Sequence, residues 1–376
     1  MKMHETLPLT DIVSLTGGVL VQGSEKETFS EIGIDSRRVV ERQLFVAVRG
    51  AHFDGHWFID EAHLGGAMGD MIEPDVIIFE LPALPPEFVL IRVKNTLAAL
   101  QSIAREYRKR LPMRTVAVTG SNGKTSAKEF IAAALGQKFK VVKNKANLNN
   151  HIGVPLSLLQ ATPEHEVGVF EAGMNHRGEI APLSGMIQPD IAVITNIGVA
   201  HIEHLGSREA IFEEKAEILS SLHPEGTLVY DAEDDFAERL AQLPASRKVG
   251  VGFERGDIRA ENIKNLDEGV AFTLILPGGQ VDVSLKTPGP HMIRNALLAA
   301  GVADVMDVEV EQIGAGLSQA KLPKGRLQVI RHEGITILDD SYNANPDSMK
   351  AALKTLLGMT TEGRRIAVLG EMRELG

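Results

Sequence analysis

The chain has 376 residues, of which 44% are hydrophobic and 24% charged, as expected for a globular protein of two or three domains. It contains no cysteine, which excludes disulfides, thiolate nucleophiles and zinc–thiolate sites. The formal net charge of -11 argues against broad binding to nucleic acids or anionic membranes, and no apolar run approaches the length of a membrane span. The first residues lack an apolar signal core, so we expect a cytoplasmic protein without membrane insertion.

Residues 1–95 are predicted to form a small α/β domain. Apolar patterning predicts a helix from Leu7 to Leu15, a strand from Leu44 to Val48 and a buried strand from Val76 to Phe79. Polar residues that suit a diphosphate occur near strand ends in this region: Asp35, Ser36, Arg37, Arg49 and Gly50. Taken alone, the same residues are more typical of a solvated turn with a surface ion pair.

The segment from Thr115 to Phe130 has the pattern of a phosphate-binding loop. Val116–Val118 is a short β-branched run typical of a buried strand, and a helical pattern begins at Lys124. The loop keeps the shorter pattern G-x-x-G-K-T, because Val118 stands where the full Walker pattern has its first glycine. Lys124 would reach the β- and γ-phosphates at the positive end of the helix, and the Thr125 hydroxyl would hold Mg²⁺. The sequence therefore predicts binding of ATP or GTP.

After this loop, short apolar runs alternate with helical patterns, which predicts a mainly parallel sheet with helices on both faces. The runs are Val167–Phe170, Ile191–Thr195, Thr227–Tyr230 and Lys248–Val251. Alternating residues on either side of Pro277-Gly278-Gly279 predict a hairpin, and His291–Val305 is predicted to be helical. Together with an amphipathic helix from Thr96 to Leu111, these elements define a predicted central domain over residues 96–322.

A third domain is predicted over residues 323–376, after the linker KLPKGR. Its elements are a strand over Ile335–Leu338, a helix capped by Asn345 with Pro346 at its first position, and a strand over Ile366–Leu369. One helix cannot cover both faces of a parallel sheet, so we expect this segment to be the start of a larger domain and the chain to be incomplete there.

Polar side chains follow several central strands, and the carboxyl ends of parallel strands meet at one edge of a sheet. Glu171 directly follows the strand Val167–Phe170, in a position to bind Mg²⁺ beside the phosphate loop. His201 follows the next strand and is a second candidate, although a single histidine is more often structural. In the loop NKANLNNHIGVP, Asx turns with a helix cap and amide contacts to a polar ligand account equally well for four asparagines: Asn144, Asn147, Asn149 and Asn150.

Lys215 lies at an unexpected place on a predicted amphipathic helix from Glu209 to Leu222. At 100° per residue it falls in the middle of the apolar stripe, and three neighbouring glutamates are predicted to face away from it: Glu213, Glu214 and Glu217. A lysine there either extends its ammonium to the surface or has a depressed pKa and acts chemically. A neutral amine can take up CO₂ to form a carbamate, an anion able to bind Mg²⁺.

Taken together, several motifs resemble those of the Mur ligase family: TGSNGKTS, NLNNHIGVP, EAGMNHRGEI, TNIGVAHIEHLGS, EEKAEI, LPKGRL, DDSYNANPDS and GEMRELG. DSRRV and LFVAVRGAHFDGH resemble the family's uridine-nucleotide-binding region, so the likeness covers nearly the whole chain. The resemblance implies a three-domain α/β fold with a central P-loop parallel-sheet ATPase domain and a C-terminal Rossmann-like domain. It also implies ADP-forming amide ligation of UDP-MurNAc-tripeptide to D-alanyl-D-alanine through an acyl phosphate, in peptidoglycan precursor synthesis.

The resemblance also implies roles for individual residues. ATP would contact Gly120, Ser121, Asn122, Gly123, Lys124, Thr125, Ser126, Asn295, Arg326, Asp340, Tyr342 and Asn343. Two Mg²⁺ ions would be held, one by Thr125 and Glu171 and the other by His201 and a carbamylated Lys215. The uridine diphosphate end of the substrate would contact Asp35, Ser36, Arg37, Arg49 and Gly50. The muramoyl peptide would face Asn147, Asn149 and Asn150.

Two alternatives stay open at this point. One is another Mur-type or folylpolyglutamate-type ligase, although DSRRV and VRGAHFDGH favour a UDP-sugar over a folate. The other is a nucleotide-binding protein without ligase turnover. The family commonly has His-Asn where this chain has His291-Met292, which leaves Asn295 unaffected. We expect a monomer that binds no nucleic acid, and the sequence does not distinguish lysine from diaminopimelate as the third residue of the peptide.

Overall fold

The structure is a computed structural model that describes residues 6–50, 52–77, 84–361 and 363–372. The chain forms two compact units: Met1–Met113 with His151–His165, and Arg114–Asn150 with Glu166–Gly376. The predicted bounds of the three domains remain predictions. Within the described ranges, no helix combines the length and the apolar character that crossing a lipid bilayer requires.

A five-stranded sheet forms the centre of the first unit. The strands of this unit are β1 (Leu7–Pro8), β2 (Val19–Gln22), β3 (Thr28–Phe29), β4 (Glu31–Gly33), β5 (Gln43–Val46), β6 (Ala67–Ile72) and β7 (Val89–Arg92). Its helices are α1 (Leu9–Thr16), α2 (Ile59–Leu64), α3 (Thr96–Arg110) and, after α4 (Lys124–Leu135) of the second unit, α5 (Gly153–Leu158). The sheet has the strand order β2-β7-β6-β5-β4, and only the β2–β7 pair is antiparallel.

The strand predicted at Val76–Phe79 is wrong at the positions that the structure describes. Val76 and Ile77 belong to no strand, and Phe79 lies outside the described residues. The sheet instead contains β6, which pairs parallel with both β5 and β7. Glycine and aspartate are depleted in strands. Because β6 contains Gly69 and Asp70, its residue pattern did not predict a strand.

Asp70 is fully buried in β6, and its carboxyl oxygens have no partner in hydrogen-bonding geometry among the described residues. Burial raises the pKa of this carboxyl well above its ordinary value of 3.8, and nearby backbone N–H groups of Met71 and Ala47 lower it by less. Asp70 is therefore protonated in the folded protein at pH values where it is ionised in the unfolded chain.

We expect Asp70→Asn to stabilise the protein at alkaline pH. A raised folded-state pKa contributes stability below the unfolded value, and that contribution is lost as the pH rises through the folded pKa. Because asparagine has no charge to bury, the variant's advantage in unfolding free energy should grow as the pH rises above the ordinary pKa of the carboxyl, to on the order of 1–3 kcal/mol. Urea unfolding followed by circular dichroism measures this difference, and equal pH slopes for the two proteins would contradict it.

The second unit contains a nine-stranded sheet and a separate hairpin. Its strands are β8 (Arg114–Thr119), β9 (Val141–Lys143), β10 (Val167–Glu171), β11 (Ile191–Ile194), β12 (Thr227–Asp231), β13 (Arg247–Gly252), β14 (Ile258–Leu266), β15 (Gly269–Leu276), β16 (Gly279–Leu285), β17 (Gln328–His332) and β18 (Ile335–Asp339). Besides α4, its helices are α6 (Ile180–Ile187), α7 (Ile202–Leu205), α8 (Arg208–Ala216), α9 (Ala237–Ala241), α10 (Pro290–Val305), α11 (Val310–Gln319) and α12 (Pro346–Gly358).

The order of the large sheet is β16-β15-β14-β13-β12-β11-β8-β10-β9. Strands β8 to β14 pair in parallel, and β15 and β16 extend the sheet as an antiparallel hairpin, which confirms both predictions for this region. The chain leaves β8 towards β9 and β10 on one side and later reaches β11 to β13 on the other. Ligands of open α/β sheets bind outside the carboxyl ends of the strands at such a reversal point.

Apolar packing fixes the strand that leads into the phosphate loop and the helix that leaves it. One continuous cluster joins β8 and α4 with neighbouring strands and with α10 and α11, through residues that include Val116, Val118, Phe130, Ile131, Leu297 and Leu317. Every one of these side chains is 2% exposed or less. The loop between β8 and α4 is therefore anchored in the core at both ends.

The C-terminal part of the second unit departs from its prediction at one strand. β17 and β18 form an antiparallel hairpin, and Asn345 caps α12 in a capping box with Pro346 in the first turn, as predicted. The strand predicted at Ile366–Leu369 is wrong, since these residues pair with no strand in the described chain. Val368 is 94% exposed, so its apolar side chain has no sheet face to pack on.

Candidate nucleotide-binding site

A cleft of about 1020 Å³ opens beyond the carboxyl ends of β8, β10 and β11. It is lined by most of the predicted central and C-terminal site residues: Ser121, Asn122, Gly123, Lys124, Thr125, Ser126, Asn147, Asn149, Asn150, Glu171, His201, Asn295, Arg326, Asp340, Tyr342 and Asn343. Gly120 and Lys215 are not part of this lining, and a hydrogen bond of 2.9 Å joins Lys215 Nζ to the Gly120 carbonyl oxygen. The fold thus brings together residues that are distant in the sequence.

The phosphate loop is held by the segment that follows β11. Thr195 Oγ1 and Asn196 Nδ2 both donate to the Asn122 carbonyl oxygen, at 2.6 and 3.0 Å, and Asn122 N donates to Asn196 Oδ1 at 3.0 Å. Gly120 has φ 144°, and a Cβ at this position would lie 1.9 Å from Thr195 Oγ1. We did not predict Thr195 and Asn196 as site residues, although they follow a parallel strand just as Glu171 does.

Two lysines meet at one carbonyl oxygen in the phosphate loop. Lys124 Nζ and Lys215 Nζ each donate to Gly120 O at 2.9 Å. Burial lowers the pKa of both amines, and the charge of Lys124 lowers that of Lys215 further. Lys215 is only 1% exposed, which excludes the alternative in which its ammonium extends to the surface. Its place in the apolar stripe of the helix is confirmed.

Glu171 and Thr125 form the pair predicted to hold Mg²⁺. Thr125 Oγ1 donates to Glu171 Oε2 at 2.8 Å, and Asn149 Nδ2 donates to Glu171 Oε1 at 2.7 Å. Arg326 Nη2 donates to the Thr125 hydroxyl at 3.0 Å. A carboxylate and a hydroxyl therefore lie together beside the lysine of the phosphate loop, each with a partner that fixes its orientation.

This donor set fits Mg²⁺ bound together with a nucleotide. Mg²⁺ prefers oxygen ligands, keeps several waters, and is usually held by one or two carboxylates together with substrate phosphates. Within the described part of the chain, no group of three or more histidine, aspartate or glutamate side chains is arranged to hold a metal alone. His201, at the start of α7, also lines the cleft and has left-handed backbone geometry (φ 64°).

The asparagine-rich loop after β9 is held to the end of β10 by its own side chains, and contact with a ligand stays a prediction. The buried Asn144 side chain donates to the carbonyl oxygens of Leu148 (2.8 Å) and Glu171 (3.1 Å) and accepts from Glu171 N at 3.0 Å. It therefore braces the end of β10. Asn147 and Asn150 line the cleft, as does Asn149, whose side chain contacts the Glu171 carboxylate.

Asn295 packs against the phosphate loop from α10. A Cβ on Gly123, which has φ 80°, would come within 2.4 Å of Asn295 Oδ1. Asn295 is itself 5% exposed. Glycine is therefore required at position 123 both by its backbone conformation and by the proximity of this amide.

The segment that follows α11 contributes polar and aromatic side chains to the cleft. The Arg326 guanidinium carbon lies 4.1 Å from the centre of the Tyr342 ring, a cation–π contact. Asp340 Oδ1 accepts from Leu327 N at 3.2 Å, and burial raises the pKa of this carboxyl. Asn343 Oδ1 accepts a hydrogen bond from the next backbone N–H, at 2.9 Å.

The N-terminus of α12 contacts the phosphate loop directly, which the sequence did not predict. Asn345 Nδ2 donates to Asn122 Oδ1 at 2.6 Å, and Asp347 Oδ2 accepts from Val199 N at 3.0 Å. Pattern analysis identified Asn345 only as a helix cap, because a cap and a tertiary contact have the same local signature.

Glu214 does not face away as predicted. Its carboxylate is 6% exposed and accepts three backbone hydrogen bonds at the start of α6, from Gly178 N (2.8 Å), Glu179 N (2.9 Å) and Ile180 N (2.9 Å). A carboxylate at a helix N-terminus satisfies unpaired N–H groups and the helix dipole. Helical periodicity could not reveal this contact, because the polar face of α8 is covered by another helix.

The candidate residues of the first unit are engaged in local ion pairs. Arg37 Nε lies 2.8 Å from Asp35 Oδ1. The Arg49 guanidinium contacts three carboxylates, those of Asp54 (2.9 Å), Glu73 (3.0 Å) and Asp75 (2.9 Å). Ser36 Oγ donates to Glu61 Oε2 at 2.6 Å, and Gly50 N donates to Phe53 O at 2.8 Å. The ion-pair interpretation describes these contacts, and a role in binding the substrate stays a prediction.

The fold and the cleft define a P-loop α/β protein with a nucleotide site at the reversal point of a parallel sheet. Comparison with known protein families then identifies the family of this protein. The Mur ligase family catalytic domain matches residues 28–108, the Mur ligase middle domain residues 118–303, and the Mur ligase glutamate ligase domain residues 325–376. The chain belongs to the Mur ligase family.

Individual relatives match nearly the whole chain. The UDP-N-acetylmuramoyl-tripeptide–D-alanyl-D-alanine ligase of Escherichia coli is 39% identical over 99% of this chain and 80% of its own length. Among solved structures, MurF from Acinetobacter baumannii has a TM-score of 0.91 at 33% identity, covering 99% of this chain and 80% of its own. MurF ligase from Thermotoga maritima, solved in complex with ADP, has a TM-score of 0.80 at 30% identity, with 92% and 78% covered.

Proposed function

We propose that this protein is an ATP-dependent ligase that forms an amide bond between UDP-MurNAc-tripeptide and D-alanyl-D-alanine, in peptidoglycan precursor synthesis. The observation that carries this proposal is that relatives named for this activity match almost the entire chain, including the cleft. The cleft adds chemical support, because a phosphate loop lies beside a carboxylate–hydroxyl pair suited to Mg²⁺. We further propose a cytoplasmic monomer.

The proposed reaction has two steps, and ATP is consumed in the first. A carboxylate oxygen of the tripeptide attacks the γ-phosphorus, the bond to ADP breaks, and an acyl phosphate forms. The amine of D-alanyl-D-alanine then attacks the acyl carbon and loses a proton while phosphate leaves. Both steps depend on positioned charges rather than on a protein nucleophile. Lys124 would neutralise charge on the transferred phosphoryl group, and backbone N–H groups of residues 120–126 would hold the triphosphate.

The cation sites are part of the proposal. Thr125 and Glu171 would hold one Mg²⁺, and His201 with a carbamylated Lys215 would hold a second. When bound, Mg²⁺ neutralises and aligns phosphate oxygens. The lowered pKa of Lys215 favours the neutral amine that reacts with CO₂, a step that forms an N–C bond and releases one proton.

The remaining site residues are assigned to the two ends of the reaction. We propose that the nucleotide is contacted by five residues of the cleft lining: Asn295, Arg326, Asp340, Tyr342 and Asn343. We propose that Asn147, Asn149 and Asn150 contact the muramoyl peptide. The uridine diphosphate group would be bound in the first unit by Asp35, Ser36, Arg37, Arg49 and Gly50.

ADP release with defined substrate pairs tests the proposed activity. We expect ADP release from ATP only when UDP-MurNAc-tripeptide and D-alanyl-D-alanine are both present, and mass spectrometry should show the corresponding UDP-MurNAc-pentapeptide. Peptides with lysine and with diaminopimelate as third residue are compared in parallel. Folylmonoglutamate with glutamate serves as the negative control pair. ATP binding without ADP release under every pair would identify a nucleotide-binding protein instead and reject the ligase.

A further inference from the structure

Lys128 is a fully buried lysine that the mechanism above does not use. It lies on α4, one helical turn after Lys124, and is 0% exposed. Lys128 Nζ donates to the carbonyl oxygens of Asn144 (2.8 Å) and Ala146 (3.3 Å) and lies 3.3 Å from Glu129 Oε1. Buried lysines are rare because desolvation disfavours the ammonium, and here its three donors have polar partners.

Both carbonyl groups belong to the loop that braces Glu171. Asn144 binds the backbone of Glu171 through its side chain, and Asn149 donates to the Glu171 carboxylate at 2.7 Å. Ala146, between them, has φ 46°, a left-handed conformation that is strained for a residue with a Cβ. A loop with such a residue needs an external contact to keep its shape. Lys128 provides that contact at Ala146 itself.

We propose that Lys128 is a positioning residue that couples the phosphate-binding helix to the magnesium carboxylate. Its ammonium holds residues 144–149 in their strained conformation, and Asn149 then orients Glu171 towards Thr125. This inference rests on the proposed function, because the cation that Glu171 would bind is the one proposed there. A lysine that only fills space would be replaced by methionine with little change, since methionine has similar length and avoids burying a charge.

Nucleotide binding with and without Mg²⁺ tests this role independently of turnover. Isothermal titration calorimetry gives the Kd of ATP in EDTA and in saturating Mg²⁺, and their ratio measures the advantage that the cation provides. We expect Lys128→Met to reduce this ratio by about 10-fold or more, the usual effect of removing a group that orients a metal ligand. The Kd in EDTA should stay within about 3-fold, because the Lys128 ammonium donates to Asn144 and Ala146 rather than to the loop that would hold the phosphates. The matched control is Lys248→Met, at an exposed lysine of β13, and it should leave both values unchanged.

A second substitution separates positioning from folding. Glycine adopts positive φ without strain, so Ala146→Gly introduced into Lys128→Met should recover at least about 3-fold of the lost ratio. Asn149→Ala, which leaves Lys128 in place, should lower the ratio to a similar extent and provides the test if Lys128→Met does not fold. An unchanged ratio in either Lys128→Met or Asn149→Ala would overturn the inference. Failure of the ligase assay with normal Mg²⁺-dependent ATP binding would reject the proposed function alone.

Discussion

Lys124→Ala is expected to lose both ATP binding and turnover. Lys124 Nζ lies at the mouth of the phosphate loop, 2.9 Å from Gly120 O and 3.3 Å from Ser121 O, where it can exchange these carbonyl partners for phosphate oxygens. Removal of one such preorganised donor typically costs about 10²–10³-fold in rate. Because the same ammonium would also contact the ground-state nucleotide, kcat/KM for ATP should fall by at least that factor.

The charges around Lys124 make the loss of its ammonium difficult to compensate. Burial has the largest effect on the pKa of Lys124 and lowers it, the charge of Glu171 raises it, and the charge of Arg326 lowers it. Alanine would leave the phosphate loop with no ammonium of its own and Glu171 as a nearby negative charge. Lys138→Ala, at an exposed lysine just beyond α4, serves as the control and should keep the wild-type Kd for ATP. Wild-type affinity in Lys124→Ala would reject the phosphate loop as the nucleotide site.

The sequence predicted those parts of the site that are encoded in consecutive residues or in a simple period. The strand, glycine loop and helix of residues 115–130 are one continuous pattern. Lys215 was identified because it interrupts an apolar stripe of period 3.6, and its burial confirms that position. Glu171 was identified because it follows a recognisable strand. In each case the signal lies within a few residues of the functional group.

The contacts that the sequence could not predict join polar residues far apart in the chain. Asn345 meets Asn122 across 223 positions, and Thr195 meets Asn122 across 73. Polar residues in loops have no periodicity, so nothing in their neighbourhood specifies a distant partner. Glu214 was placed on the wrong face for a related reason, because a helical wheel treats every charged face as solvated. The strand β6 was not predicted because it contains Asp70, and aspartate is depleted in strands.

Lys215→Ala is expected to abolish ligation while leaving ATP binding nearly unchanged. Lys215 donates to the Gly120 carbonyl oxygen and is not part of the cleft lining, so the ground-state nucleotide should not need it. We expect the Kd for ATP to stay within about 3-fold and kcat to fall by at least about 10³-fold, as for the loss of a group that acts only in the transition state. Lys248→Ala, at an exposed position, is the matched control.

The electrostatics of the two lysines explain why a carbamate would be favoured. As ammonium groups, Lys124 and Lys215 repel each other across the Gly120 carbonyl, and this repulsion contributes to the lowered pKa of Lys215. Loss of a proton from the Lys215 ammonium removes this repulsion. Addition of CO₂ to the neutral amine, with release of a second proton, gives a negative carbamate that is attracted to Lys124 and can bind Mg²⁺. A small carboxylate placed in the cavity left by alanine would restore the same charge. Formate should therefore recover at least about 10-fold of the lost kcat in Lys215→Ala and none in Lys124→Ala. Wild-type turnover in Lys215→Ala, or equal formate rescue in both variants, would remove the carbamate from the mechanism.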